Sequence, residues 1–301
     1  MTGYRSRQCG EAGVLVIMGF IVVAASVLGG FALQGGHLAA LFQPTELLII
    51  GGAALGAFCV ANDRRSIAAT VAALPLLFQT SRHSKALYLD LMALLFELLT
   101  KVRKEGMMAV EGDVDTPHDS ALFGRYPAIL AEAHVLEFIT DYLRLMISGN
   151  MDAFQIENLM DNEIDTHHED SEVPVQAIAQ MAESMPAFGI VAAVIGVVHT
   201  MASVGLPPAE LGMLIAGALV GTFIGILLSY GFVGPLAALL RSKHAETARM
   251  YQCIKVTLLA SLNGYAPALA VEFGRKVVSA MERPSFLELD RQVRQARAPA
   301  K

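Results

Sequence analysis

The chain has 301 residues, a formal net charge of -6, and 54% hydrophobic against 17% charged residues. Its mean hydropathy of +0.51 is too high for an ordinary soluble domain. The acidic balance excludes nucleic acid as a partner, because phosphate binding needs concentrated Lys and Arg.

Four apolar segments, Ala12–Leu33, Leu47–Ala61, Ala187–Val204 and Leu211–Leu240, contain no Asp, Glu, Lys or Arg. A bilayer core takes about 20 apolar residues of helix. The first and third segments match that length. The second is short unless Glu46 and Asn62 flank it in the headgroups, and the fourth has length to spare, so it should tilt or project. Arg5 and Arg7 precede the first segment, but its apolar run exceeds the ~7–15 residues of a secretory h-region. An uncleaved first span is expected. With no tryptophan in the chain, Tyr and Phe must supply any interfacial belt.

Lys and Arg set the orientation. Arg5, Arg7, Arg64, Arg65, Arg241 and Lys243 all lie on one side of the four spans, whereas the connections Gln34–Glu46 and Gly205–Glu210 carry no basic residue. The positive-inside rule then places both termini and the segment between spans two and three in the cytoplasm. The expected fold is an all-α integral membrane protein with four transmembrane helices, a large helical cytoplasmic insertion and a helical tail. The expected divisions are a first membrane hairpin at 1–62, the cytoplasmic domain at 63–185, a second hairpin at 186–241 and the tail at 242–301.

In the insertion, Ser84–Glu105 is rich in helix formers. Asp90, Glu97, Lys101 and Lys104 make a solvated stripe and leave Leu87, Leu91, Leu94, Leu95 and Leu98 for packing. Pro127–Ile147 reads as another helix, closed by Ser148-Gly149-Asn150. Met151–Glu183 is helical in pattern with Pro174 as a break or kink. Asn263-Gly264-Tyr265-Ala266-Pro267 should interrupt the tail helices, and Arg291–Lys301 should fray.

Several residues invite a functional interpretation. Gly217, Gly221 and Gly225 recur every four residues in span four, with Gly52 and Gly56 in span two. Such spacing lets helix backbones approach closely, within the chain or between copies. The hydroxyls of Thr222 and Ser229, and His199, Thr200 and Ser203 in span three, should face protein or water. Alternatives are an i−4 backbone bond for Thr222 and an interfacial position for His199. Pro186 reads as a kink or a first-turn proline, and Pro235 as a kink inside a span. Arg103 and Glu111 bracket Gly106 within a charged stretch that composition alone assigns to a solvated face.

His167-His168-Glu169-Asp170 does not make a metal site, since adjacent residues do not share a helix face. The three cysteines Cys9, Cys59 and Cys253 are far apart and are expected to stay reduced. Neither a GxxxxGK[ST] phosphate loop nor a GxSxG elbow occurs, so an enzyme is unsupported.

Five strings carry a resemblance: ALPLLF at 73–78, DYLRLMISG at 141–149, MPAFGIVAAVIGVVH at 185–199, VGTFIGILLSYGF at 220–232 and LNGYAPALAVEFGRK at 262–276. With the layout of four spans, they make the chain resemble the MotA family of bacterial flagellar stator subunits. The wider relatives TolQ and ExbB have three spans. The resemblance implies an inner-membrane motor subunit that assembles as a pentamer around a MotB dimer, takes protons as its coupling ion with no other cofactor, and turns the rotor protein FliG. It implies that Pro186 and Pro235 match the family's mechanistic prolines, Thr222 the threonine lining the ion path, and Arg103 and Glu111 the rotor-contacting pair. Gly112 follows Glu111 where relatives carry a basic residue, which alters the local charge pattern. An ion crossing hydrocarbon needs a titratable group. The charge-free spans lead to the expectation that the carboxylate at depth comes wholly from the partner. Other expectations from the same layout are a TolQ-like energiser of an envelope partner, and a scaffold without ion flux.

Overall fold

The structure, a computed structural model, describes residues 5–79, 84–202, 205 and 207–297. It is helical, with no strand among the described residues. Four stretches are long and apolar enough to cross a membrane: Gly13–Leu33, Leu38–Ala61, and parts of Ala153–Met201 and Pro208–Leu262. The chain divides into two compact units, one formed by 1–80 and 171–243, the other by 81–170 and 244–301.

In chain order the helices are α1 (Arg5–Leu33), α2 (Pro44–Ala61), α3 (Arg64–Leu77), α4 (Lys85–Glu105), α5 (Glu111–Asp115), α6 (Pro127–Leu130), α7 (Ala133–Ser148), α8 (Ala153–Met201), α9 (Pro208–Ile226), α10 (Gly234–Leu262), α11 (Pro267–Val277) and α12 (Phe286–Arg297). A π-helical stretch, Leu227–Val233, joins α9 to α10, and a 3₁₀ turn, Leu38–Leu41, precedes α2. Both α8 and α10 contribute residues to each unit.

The first unit holds the apolar helices. Val14, Leu15, Ile17, Met18 and Ile21 of α1 are exposed, as befits a helix whose solvent is lipid and whose backbone groups are satisfied internally. Asp63 caps α3 by accepting from the Ser66 N–H at 2.7 Å. Ala73 and Leu77 of α3 then pack on Val175 and Ile178 of α8 and on Ala237 and Leu240 of α10. Lys243 donates to the Leu76, Leu77 and Gln79 carbonyls, where a helix end favours a cation. Span two is longer than its charge-free core, because the turn at Leu38–Leu41 extends it.

The second unit has an ordinary hydrophobic core built around α4. Ser84 caps this helix by accepting from the Leu87 N–H, and Gly106, at φ +91°, ends it. Leu91, Leu94, Leu95 and Leu98 are fully buried, as their spacing predicted, and Leu87 nearly so. Each such side chain contributes about 1.5–3 kcal/mol by leaving water. Gly149 takes a left-handed φ of +66° and closes α7, also as predicted. The helices α11 and α12 pack on α4, and the tail is interrupted between Leu262 and Pro267 as expected. Cys253 is buried here and burial pushes its thiol up to about 12, which keeps it inert. Cys59 is a free, exposed thiol. The side chain of Cys9 lies outside the described residues, as does Ser203.

Several sequence expectations need correction. Pro127–Ile147 is not one helix: it breaks at Ala131-Glu132, between α6 and α7. Pro174 does not break α8, and Pro186 does not begin it. Both lie inside one helix of 49 residues. Each removes a backbone donor, and the helix persists because packing along its length outweighs the local loss. Glu97 is not a solvated charge. It accepts from Arg125 and, at 2.9 Å, from the Tyr126 hydroxyl, and burial pushes its carboxyl up. Of the tail expected to fray, 291–297 belongs to α12, while 298–301 lies outside the described residues.

Candidate functional site

The helices α8 and α9 run antiparallel and touch through backbone. A Cβ added to Gly189 would lie 2.9 Å from the Gly221 carbonyl oxygen and 3.3 Å from the Thr222 Cα. One added to Gly225 would lie 2.7 Å from the Met185 carbonyl oxygen. No side chain larger than hydrogen fits at these crossings, and close approach of this kind holds helices together in lipid. The stripe predicted in span four is therefore used, at Gly221 and Gly225, within the chain. A Cβ added to Gly52 or Gly56 meets nothing within 4 Å among the described residues.

Thr222 is half-buried at this crossing. Its hydroxyl makes no bond to the i−4 carbonyl, unlike Thr200, whose Oγ1 donates to the Gly196 carbonyl at 2.8 Å. His199, near the end of α8, is exposed.

Pro235 lies in the first turn of α10, two residues after the π-helical stretch. Instead of a simple kink, the structure has a change of hydrogen-bond register, in which the Gly234 N–H bonds the Ser229 carbonyl. Proline has no donor to continue an α-helical ladder, and a π stretch is a common accommodation at working sites. Phe20 and Val23 of α1 cover this stretch, Phe20 stacking on Phe232 at 5.0 Å and Val23 lying against Gly231.

Glu46 was missed as a site residue. It was expected among the headgroups, yet it lies in the first turn of α2 with only 8% of its surface exposed. Its Oε2 sits 2.6 Å from where a Gly221 Cβ would be, and Oε1 3.7 Å from that of Gly196. The expectation of no carboxylate inside the spans is thus corrected. The available signal was Glu46 two residues after Pro44, which places it in the first turn of a helix, opposite a glycine stripe that leaves room for it.

In the second unit, Arg103 and Glu111 stand on either side of the Gly106 reversal, both exposed and neither in an ion pair among the described residues. Their setting is fixed from beneath. Lys101 pairs with Asp113 at 2.7 Å, Asp113 accepts from the Ser120 hydroxyl at 2.6 Å, and Val110 and Val114 are fully buried. Composition could not separate Lys101, which is structural, from Arg103, which is presented to solvent. His167 packs edge-on against Tyr251 at 4.9 Å, and burial followed by the nearby His134 lowers its pKa. No cluster of three or more metal-ligating side chains occurs among the described residues.

Residues 17–106 match the family "Motility protein A N-terminal", and residues 131–253 match the "MotA/TolQ/ExbB proton channel family". The chain is 56% identical over 286 residues to Motility protein A of Salmonella typhimurium, covering 95% of this chain and 97% of that protein. It is 55% identical to Motility protein A of Escherichia coli over the same shares. The fold superposes on the structure of Campylobacter jejuni MotAB with a TM-score of 0.74 at 18% identity, over 89% of this chain and 96% of that one. For the flagellar MotAB stator complex from Bacillus subtilis the TM-score is 0.67 at 22% identity, over 85% and 92%.

Proposed function

The chain belongs to the MotA/TolQ/ExbB proton channel family, and from that premise we propose that it is the stator subunit that converts a proton gradient into flagellar torque. The observation that carries this proposal is its similarity to Motility protein A along nearly the whole chain. The backbone-tight hairpin at Thr222 supports it. In this proposal, copies of the chain form a pentamer around a MotB dimer in the inner membrane, with both termini cytoplasmic. The absence of basic residues from the two short connections supports that orientation.

Protons enter from the periplasm and neutralise a carboxylate of the partner beside Thr222. Neutralisation removes much of the penalty for burying that group, so it can pass from one subunit environment to the next and the ring turns. Pro186 and the π stretch before Pro235 let α8 and α10 respond. Arg103 and Glu111 make and break contacts with FliG. Exposed pairs contribute roughly 0–1 kcal/mol each, which suits contacts broken at every step.

The test is rotation in a strain lacking the chain, complemented with wild type or Arg103→Glu, while the proton and sodium gradients are collapsed separately. Lost rotation on deletion, weaker rotation with Arg103→Glu, and sensitivity to proton collapse alone are the expected outcomes. Normal rotation without the chain would overturn the proposal in favour of an envelope energiser.

A further inference from the structure

Glu46 is a buried acid with an unsatisfied carboxyl oxygen among the described residues. Its Oε2 is shielded from solvent and makes no hydrogen bond among the described residues. Its carboxyl lies beside Gly196 of α8 and Gly221 of α9, and the same two glycine positions face Ala218 and Ala192. Position in the first turn of α2 gives an anion some relief from the helix dipole, but relief of that size does not replace hydration. An intramembrane acid in such surroundings is costly to keep and marks an ion or proton pathway.

Its level in the fold is informative. Gly196 and Ala192 lie about 8 Å and about 14 Å of helix from the Met201 end of α8, at about 1.5 Å per residue. The connection before α2 is folded down beside α9, with its 3₁₀ turn on α9 and Gln43 close to Gly217. Gly221, which would collide with the carboxyl if it carried a Cβ, is the residue before Thr222. The other Asp, Glu and His residues on the parts of these elements in the same unit are His37 before the 3₁₀ turn, Glu172, Glu183 and His199 on α8, and Glu210 at the start of α9. None of them supplies one of the three atoms nearest the Cβ positions built at Gly196 and Gly221, beside which the carboxyl lies.

We propose that Glu46 is a second proton-binding site in the path, between the periplasmic entrance and the partner carboxylate beside Thr222. This rests on the stator proposal above. A hydronium on the entrance side gives its proton to the Glu46 carboxylate, forming an O–H bond and leaving water. That O–H bond then breaks, the proton passes to the partner carboxylate, directly or through water, and Glu46 returns to the anion. Glycine at 196 and 221 keeps the carboxyl free to change its orientation between the two events.

The experiment measures rotation speed and proton influx for wild type, Glu46→Gln and Glu46→Asp in the deletion strain. Proton-motive force is held equal at external pH near 6 and near 8, and fluorescently tagged subunits are counted at the motor. A relay predicts that Glu46→Gln slows rotation by about a hundredfold near pH 8, the low end of what a lost proton-transfer group costs. The deficit should shrink near pH 6, where the partner carboxylate loads directly, and Glu46→Asp should be intermediate. Wild-type speed of Glu46→Gln at both values overturns the relay, as does an equal loss for both variants that ignores pH, which marks a packing role. If Glu46→Gln is not recruited, Glu46→Asp is read alone. A deficit that grows with pH supports the relay, and a wild-type profile overturns it. Rotation of the deletion strain without any added chain would instead bring down the stator proposal, and the relay with it.

Discussion

At the scale of single residues, one β-branched hydroxyl and one ion pair give sharp tests. Thr222 offers a hydroxyl at the α8–α9 crossing, one residue from the glycine that faces the Glu46 carboxyl. Thr222→Val keeps the shape and removes the hydroxyl, so it should cut proton influx while leaving recruitment to the motor near wild type. Normal influx in that variant would place the path elsewhere. In the other unit, the Lys85 ammonium and then the Ser285 N–H hold the Glu288 carboxyl at about 2, below the ~4.3 of an unfolded chain. A depressed acid adds stability above ~4.3 that is lost as pH falls towards 2. Protection of the α12 amides, corrected for the intrinsic pH dependence of exchange, should therefore fall as pH drops through that window in wild type. After Glu288→Gln the docking of α12 should be weaker above it and should lose this step. Unchanged α12 protection in the wild type across the window would refute the assignment.

At the scale of elements, the α8–α9 pair separates packing glycines from incidental ones. Gly225→Ala sets a methyl 2.7 Å from the Met185 carbonyl oxygen, and overpacking of this kind costs about 1–3 kcal/mol. Gly56→Ala meets nothing within 4 Å among the described residues. Thermal unfolding in detergent should fall for the first and hold for the second; equal behaviour would mean that the crossing tolerates a methyl. Elements whose causes are local were legible in the sequence. The α4 helix with its Ser84 cap, the Gly149 stop and the four apolar stretches each follow from residues a few positions apart. Features that depend on neighbours distant in sequence were not. Glu46 reads as a flank because the helices that bury it lie some 150 residues along the chain. Glu97 reads as solvated because Arg125 and Tyr126 come from another turn. Pro186 reads as a start because local rules do not register the packing that carries α8 through it. Of the site residues, Thr222, Pro186, Pro235, Arg103 and Glu111 were reached by resemblance, and local chemistry alone had offered blander roles for most of them.

At the scale of the whole molecule, two kinds of core coexist. The unit around α4 is held by buried leucines, and Leu94→Ala should lower its unfolding free energy by about 2–5 kcal/mol. Measured by denaturant or heat, a loss below 1 kcal/mol would mean that this core is looser than its zero exposure indicates. The apolar helices are held instead by fit, with lipid on their outer faces. That difference bears on where the molecule can give. Where α8 and α9 meet at Gly189 and Gly225 there are no rotamers to absorb sliding, so the pair acts as a strut. The seven-residue π stretch beside it is already off the α-helical ladder and is the natural place to store deformation. A strut ending in a spring would let each subunit accumulate several small displacements before its load yields, so torque could be delivered smoothly even though protons arrive one at a time.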